Sequence, residues 1–157
     1  MEGIVIKIKS GKRAKYSSNR AIHNLLNYIV CEKGTDHQVS HWGTRGLSHD
    51  INKAVEQFIK SQKLIRKNKN RRAYHIIVSF PPDMQDVEFV NKAADEVANY
   101  FFNDYLVLYG VHTNTDSLHF HIAINSVSYV TGLKFHKSKQ GIEQMKSDIL
   151  GIIHDIS

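Results

Sequence analysis

Three histidines fall within ten residues in the stretch Val111-His112-Thr113-Asn114-Thr115-Asp116-Ser117-Leu118-His119-Phe120-His121-Ile122. From Leu118 to Asn125 the pattern alternates, with Leu118, Phe120, Ile122 and Ile124 separated by His119, His121, Ala123 and Asn125. Period-two alternation in so apolar a run predicts a strand. His119 and His121 then share one face, roughly 6.5–7 Å apart along the chain. The run from Tyr105 to Thr113 is also rich in β-formers, and Asn114-Thr115-Asp116-Ser117 between the two runs is turn chemistry. If the hairpin closes symmetrically about those four residues, His112 faces His119 and Gly110 faces His121. Opposed residues lie on the same face, about 4.5–5.5 Å apart, so the three imidazoles converge. Gly110 leaves room beside His121.

Two readings of these histidines stand side by side. A His-x-His pair on a strand is commonly just solvated, and ten histidines in the chain make one chance pair unsurprising. A third histidine in register across the hairpin points instead to a divalent metal with open positions for a substrate oxygen. Three neutral imidazoles suit Zn, Mn, Fe or Ni, whereas a pure Mg site prefers oxygen ligands.

A chain of 157 residues, 41% hydrophobic, is long enough for one domain with a real core. No apolar run approaches the roughly 20 residues of a membrane span, and the N-terminus lacks the apolar region of a signal peptide. We therefore expect no membrane insertion. The single cysteine, Cys31, cannot form an internal disulfide and suits a reducing cytosol. Its place at the end of an apolar helix pattern predicts a buried structural thiol. A net charge of +6 and a pI near 9.4 favour a polyanionic partner, usually nucleic acid.

Along the chain, residues 1–9 alternate as a first strand, and a basic turn follows at 10–15. Ser17, Ser18 or Asn19 can cap a helix from about Arg20 to Cys31. Its stripe is Ile22, Leu25, Leu26 and Ile29, and Tyr28 lies roughly 110° from the stripe's centre. That position allows the Tyr28 ring to rest on the core edge with its hydroxyl in a cleft, or simply to be an ordinary boundary tyrosine. Gly34 is a plausible end to this helix. The stretch His37–Leu47 gives no clear period. Trp42 and Arg45 within it suit base stacking or a loop anchored on a buried indole.

Ser48 or Asp50 caps a second helix with Ile51, Ala54, Val55, Phe58 and Ile59 inward. It runs into Lys63, Arg66, Lys67, Lys69, Arg71 and Arg72, either a solvated connection or an arm contacting phosphates. Residues 73–80 form a strand with His75, Ile77 and Ser79 on one face. Pro81-Pro82 stops it and opens a third helix, 84–102. After the hairpin come a turn at Thr131-Gly132, a short edge strand at 133–135 and a final helix over 140–153. The tight hairpin requires antiparallel pairing, and the strand–helix–strand crossover favours a mixed sheet with helices packed on it. The class is α+β, sandwich-like, around a central, mainly antiparallel sheet.

A metal on a phosphate oxygen polarises phosphorus for attack, and a tyrosine hydroxyl attacking in line would form a covalent phosphotyrosine link. The residues that would do this resemble a known family. His112-Thr113-Asn114-Thr115-Asp116-Ser117-Leu118-His119-Phe120-His121-Ile122-Ala123-Ile124-Asn125 resembles the three-histidine motif of conjugative relaxases, the plasmid mobilisation proteins of the HUH endonuclease superfamily. Tyr74-His75-Ile76-Ile77-Val78-Ser79-Phe80-Pro81-Pro82 is similar to their second motif, and Asn27-Tyr28-Ile29 to the first, which carries the nucleophile.

The resemblance implies that His112, His119 and His121 hold a divalent cation, Mn or Mg in use, with Zn or Ni able to occupy the site. It implies Tyr28 as nucleophile, Ser79 near bound DNA, and Asp116 either supporting the histidines or helping to activate the tyrosine. The family nicks one strand at an origin of transfer and stays linked to the 5′ end. It therefore implies a cytoplasmic bacterial protein with single-stranded DNA, relaxosome accessory proteins and a coupling protein as partners. Residues 1–157 read as a single relaxase domain, either a minimal form or the N-terminal catalytic part of a longer protein. Many members carry Asp where Asn114 stands and His or Asn where Ser117 stands, which puts the outer support of the metal in question. If Tyr28 is not the nucleophile, Tyr16 is the next candidate. Two alternatives are a rolling-circle replication initiator, for which Tyr129 after the histidines would be the nucleophile, and a non-catalytic single-stranded nucleic-acid-binding module.

Overall fold

In the computed structural model, the structure describes residues 2–10, 12–30, 39–63 and 71–157. Cys31, Gly34, Arg66, Lys67 and Lys69, all singled out above, lie outside the described residues. Five strands, β1 (Val5–Ile8), β2 (Val39–Arg45), β3 (Ala73–Ser79), β4 (Val107–His112) and β5 (His119–Asn125), form one sheet in the order β1-β3-β5-β4-β2. Four helices accompany it: α1 (Asn19–Val30), α2 (Ile51–Lys60), α3 (Val87–Phe102) and α4 (Lys139–Ile156).

Every strand pairing among the described residues is antiparallel, so the expected mixed sheet is corrected. The crossover from β3 through α3 does join two strands that run the same way. The hairpin strand β5, however, inserts between them and separates the parallel pair. The unreadable stretch around Trp42 contributes the edge strand β2 over Val39–Arg45. Its two glycines and mixed polarity gave no period because β2 has a register shift between Val39 and His41. The short strand expected at 133–135 reduces to a single bridge between Val127 and Lys134.

The helix caps follow the local chemistry. Ser18 Oγ accepts from the amide of Ala21 at the start of α1, and Asp50 accepts from Asn52 and Lys53 at the start of α2. Asp86 caps α3, so that helix starts three residues after the expected Met84.

Period two divides the sheet into two unlike faces. Ile76, Val78, Tyr109, Phe120, Ile122 and Ile124 pack against α3 and α4 in the main core. The opposite face carries Ala73, Leu108 and Ala123, on which α1 and α2 lay Ile22, Leu26, Ile29 and Phe58. All four helix side chains are fully buried, each contributing about 1.5–3 kcal/mol relative to exposure. The β1 edge of this second face is left open: Val5, beside Ser79, and Lys7, beside Ile77, are both exposed.

Candidate active site

The hairpin has the register that symmetrical closure requires. Gly110 pairs with His121, Val111 with Phe120, and His112 with His119. All three histidines therefore point to the α1 side of the sheet, with a ligand nitrogen of each within 4.8 Å of the others. His112 and His121 are buried, while His119 is partly exposed at the rim.

Gly110 does more than leave room. A Cβ there would collide with the carbonyl oxygen of Ile29 and meet Ile29 Cγ2 at 3.2 Å. The end of α1 thus descends onto the sheet at Gly110, where no side chain stands in its way. That descent brings Tyr28 over the cluster. Its ring centroid is 5.2 Å from that of His121 and 5.5 Å from that of His112, edge-on to both. Tyr28 remains 53% exposed, so a substrate in solvent can reach it.

The partners of the imidazoles define their free nitrogens. His112 Nε2 lies 2.8 Å from the Ile29 carbonyl, which can only accept, so Nε2 carries the proton and Nδ1 keeps its lone pair. His119 Nδ1 lies 2.9 Å from the Ser117 carbonyl, which by the same argument leaves Nε2. His121 Nδ1 is engaged by His75 Nε2 at 2.7 Å. Its other nitrogen, Nε2, is buried and has no hydrogen-bond partner. Buried polar atoms are rarely left so. Three convergent imidazoles, one with an orphaned nitrogen, fit a divalent metal. Three nitrogens around such an ion sit about 3–3.5 Å apart at ordinary bond lengths, so a bound ion would draw the imidazoles closer together.

Burial also keeps His112, His121 and the adjoining His75 neutral. It holds His121 down to about 2, with the neighbouring His112 and His75 adding to the effect. Burial, and then the positive charge of Lys9, lowers His75 to about 4. His112 is lowered by burial, partly offset by its bond to Ile29. At neutral pH protons therefore do not compete for the lone pairs of His112 and His121.

Beside the cluster lies a cavity of about 570 Å³ lined by Lys9, Ser10, Asn24, Tyr28, His75 and Ile77, among others. Ser79 pairs with His119 across β3 and β5 and shares the histidine face, next to Val5 of the edge strand β1. The structure thus gathers Tyr28, His112, His119, His121 and Ser79 into one region.

Other residues singled out from sequence lie elsewhere or are already engaged. Asp116 is exposed in the hairpin loop; its main-chain carbonyl accepts from Gln85, 3.2 Å away. Trp42 is on the histidine face of the edge strand β2 and stacks on His49 at 3.8 Å. Arg45 is on the opposite face, where Nε donates to Asn99 and the guanidinium sits 5.3 Å over the Tyr109 ring. Arg71 donates to the carbonyls of Lys9 and Ala14. Arg72 is buried and donates to Gln62, which in turn donates to Asn125. That network ties the end of α2 to the sheet. Tyr129 packs on Phe102 and donates to its carbonyl at the end of α3.

Sequence reasoning missed His75 and Lys9 as site residues, and named Tyr16 only as a substitute nucleophile. The signal for His75 was present, since period two puts it on the Ser79 face of β3. Its contact with His121 needed the β3–β5 pairing, which no local pattern reveals.

The comparisons with known proteins agree with this arrangement. The family model of the MobA/VirD2-like relaxase nuclease domain matches residues 16–148, and the chain belongs to that family. A Staphylococcus aureus relative, protein rlx, is 27% identical over 145 residues, covering 91% of this chain and 42% of its own length. Protein TraI of Escherichia coli is 30% identical over 106 residues, covering 66% of this chain and 14% of its own length. The chain thus spans less than half the length of these curated relatives. A solved structure described as the molecular basis of vancomycin resistance transfer in Staphylococcus aureus shares the fold. Its TM-score is 0.62 over 98% of this chain and 91% of that one, at 11% identity. No helix among the described residues is long and apolar enough to cross a membrane.

Proposed function

We propose that this domain nicks one strand of DNA at an origin of transfer by transesterification, with Tyr28 as nucleophile and His112, His119 and His121 as ligands of a divalent metal. The observation that carries the reading is the placement of Tyr28 edge-on over His112 and His121, above the orphaned Nε2 of His121. The Tyr28 hydroxyl oxygen attacks the scissile phosphorus. The new bond is Tyr28 Oη–P, the P–O3′ bond breaks, the tyrosine proton is lost and the departing 3′ oxygen gains one. The product is a 5′-phosphotyrosine that conserves the phosphodiester energy, so the reverse reaction can rejoin a strand. A divalent metal, Mn or Mg in use, would be held by His112, His119 and His121 and would supply charge neutralisation at the phosphate.

The chain's own residues do the positioning. α1 holds Tyr28 edge-on to the imidazoles, with the side chain half exposed to solvent. Ser79, Lys7 and Lys9 line the open β1–β3 face, and they offer a hydroxyl and two cations to the backbone of a single strand. The neighbouring cavity has room for a nucleotide beside the scissile phosphate. Asp116 would act from the solvent side of the hairpin loop. The longer relatives support a role in mobilisation, with accessory relaxosome proteins and a coupling protein as partners of the complete protein in the bacterial cytoplasm.

The test is an adduct assay. Labelled single-stranded DNA from the intergenic region next to the gene is incubated with the chain and Mn, then resolved under denaturing conditions. A covalent shift that disappears with chelator is the expected result, and no shift with any strand of that region would sink the proposal.

A further inference from the structure

We infer that His75 is a positioning residue for the third metal ligand, His121, and that Tyr16 positions His75 in turn. The inference rests on the reading of the triad as a metal site.

The three candidate ligands are not supported alike. Main-chain carbonyls, from Ile29 and Ser117, dictate the protonated nitrogen of His112 and of His119. His121 has instead another imidazole against Nδ1, that of His75 at 2.7 Å. A carbonyl permits one tautomer of its partner; an imidazole permits two. In the first, His75 Nε2–H donates to His121 Nδ1, and His121 then carries its proton on Nε2, a buried atom with no acceptor. In the second, His121 Nδ1–H donates to His75 Nε2, and the lone pair of Nε2 faces His112 and His119. Only the second can bind a cation.

The second state sets a demand further out. His75, accepting at Nε2, must carry its own proton on Nδ1 and needs an acceptor there. Tyr16 Oη lies 2.8 Å from that nitrogen. The chain Tyr16–His75–His121 therefore replaces the fixed carbonyl used for the other two ligands. Tyr16 is held for this role with some effort. Its φ is 48°, in the left-handed region that a non-glycine residue rarely adopts. The flanking segment is pinned from two sides: Arg71 donates to the carbonyl of Ala14, and the amide of Arg72 to that of Lys15. Burial raises the Tyr16 hydroxyl above its ordinary range, with Arg71 partly offsetting this, so Tyr16 stays a neutral hydroxyl able to accept. The two arginines thus serve the site through Tyr16.

Mn(II) and Co(II) uptake measured by calorimetry tests this, using the whole chain and the variants His75→Leu, His75→Gln and Tyr16→Phe. His75→Leu fills the volume but removes the acceptor, and a 10–100-fold weaker Mn affinity is expected. His75→Gln keeps an acceptor oxygen and should recover most of the affinity, which a merely space-filling role would not require. Tyr16→Phe should weaken binding several-fold and shift the visible bands of the Co(II) form. Equal affinity of His75→Leu and wild type overturns the inference, as does a His75→Gln variant no better than His75→Leu. Should His75→Leu not fold, Tyr16→Phe decides, and an unchanged affinity and Co(II) spectrum overturn the chain. Wild-type protein that takes up neither ion refutes the metal reading itself, a result distinct from uptake that ignores His75.

Discussion

His112 on β4 bonds the main-chain carbonyl of Ile29, the residue after Tyr28, with Nε2 2.8 Å from the oxygen. One contact therefore fixes both the tautomer of a candidate metal ligand and the height of the candidate nucleophile above it. Gly110, two residues earlier on β4, is what allows the approach, because a Cβ there would strike the same Ile29 oxygen. Gly110→Ala should push the end of α1 off the sheet. Overpacking of this kind costs about 1–3 kcal/mol, and a displacement near 1 Å can lower a rate on the order of 100-fold. Denaturant unfolding and adduct formation, both measured where the variant is still folded, check this. An unchanged adduct rate would show that the approach of α1 is not needed for the chemistry.

Tyr28→Phe separates nucleophile from scaffold. The side chain is half exposed, so its hydroxyl contributes little to folding, and the stability change should stay within about 0.5 kcal/mol. Strand binding should persist while the covalent adduct vanishes. If Tyr28→Phe still forms the adduct, Tyr16 becomes the nucleophile to test, since both side chains line the same cavity. Tyr129, bonded to the Phe102 carbonyl at the end of α3, offers the replication-initiator alternative no nucleophile beside the histidines.

A ligand that binds only the folded state raises its melting temperature. At a free Mn concentration 100 times the dissociation constant the gain is about 2.7 kcal/mol, or roughly 5–10 °C for a chain of this size. His119→Ala should abolish that shift while leaving the metal-free protein nearly as stable, because His119 sits at the exposed rim. A shift of the same size in His119→Ala would remove His119 from the ligand set. No shift in the wild type would favour the non-catalytic binding module.

The site was legible where its chemistry lies within one hairpin or on one helix face. His112, His119 and His121 follow from period two plus a symmetrical turn, and the displacement of Tyr28 from its helix stripe put it at the core edge. Support from a distance was not legible. His75 reaches His121 only because β5 pairs with β3 as well as with β4, a long-range choice that alternation does not encode. The same insertion turned an expected mixed sheet into an antiparallel one. Within the basic run, read from sequence as either a solvated connection or a phosphate-contacting arm, Arg72 is buried against Gln62, and Arg71 donates to the carbonyls of Lys9 and Ala14, partners that lie far off in sequence. The departures at Asn114 and Ser117 also take on a different weight. Asn114 is exposed, and Ser117 meets His119 through its main-chain carbonyl rather than its side chain.

The buried imidazoles make stability depend on pH in a direction that can be worked out. His75 and His121 are lowered to about 4 and about 2, and His112 is lowered too, whereas in the unfolded chain each would titrate at its ordinary value. Between the ordinary value, about 6.5, and the lowered ones, the unfolded state binds more protons than the folded state. Stability therefore rises with pH across that window. It is fully present above the ordinary histidine range and is lost as pH falls from there towards 4, by up to about 1.4 kcal/mol per pH unit for each histidine that stays neutral. Chemical denaturation of the metal-free chain at pH 7.5, 6, 5 and 4 should give steadily falling midpoints. His75→Leu removes one titrating group and should flatten the slope. A stability curve flat from pH 7.5 to 5 would mean that the imidazoles are far more open to water than their burial beneath α1 requires.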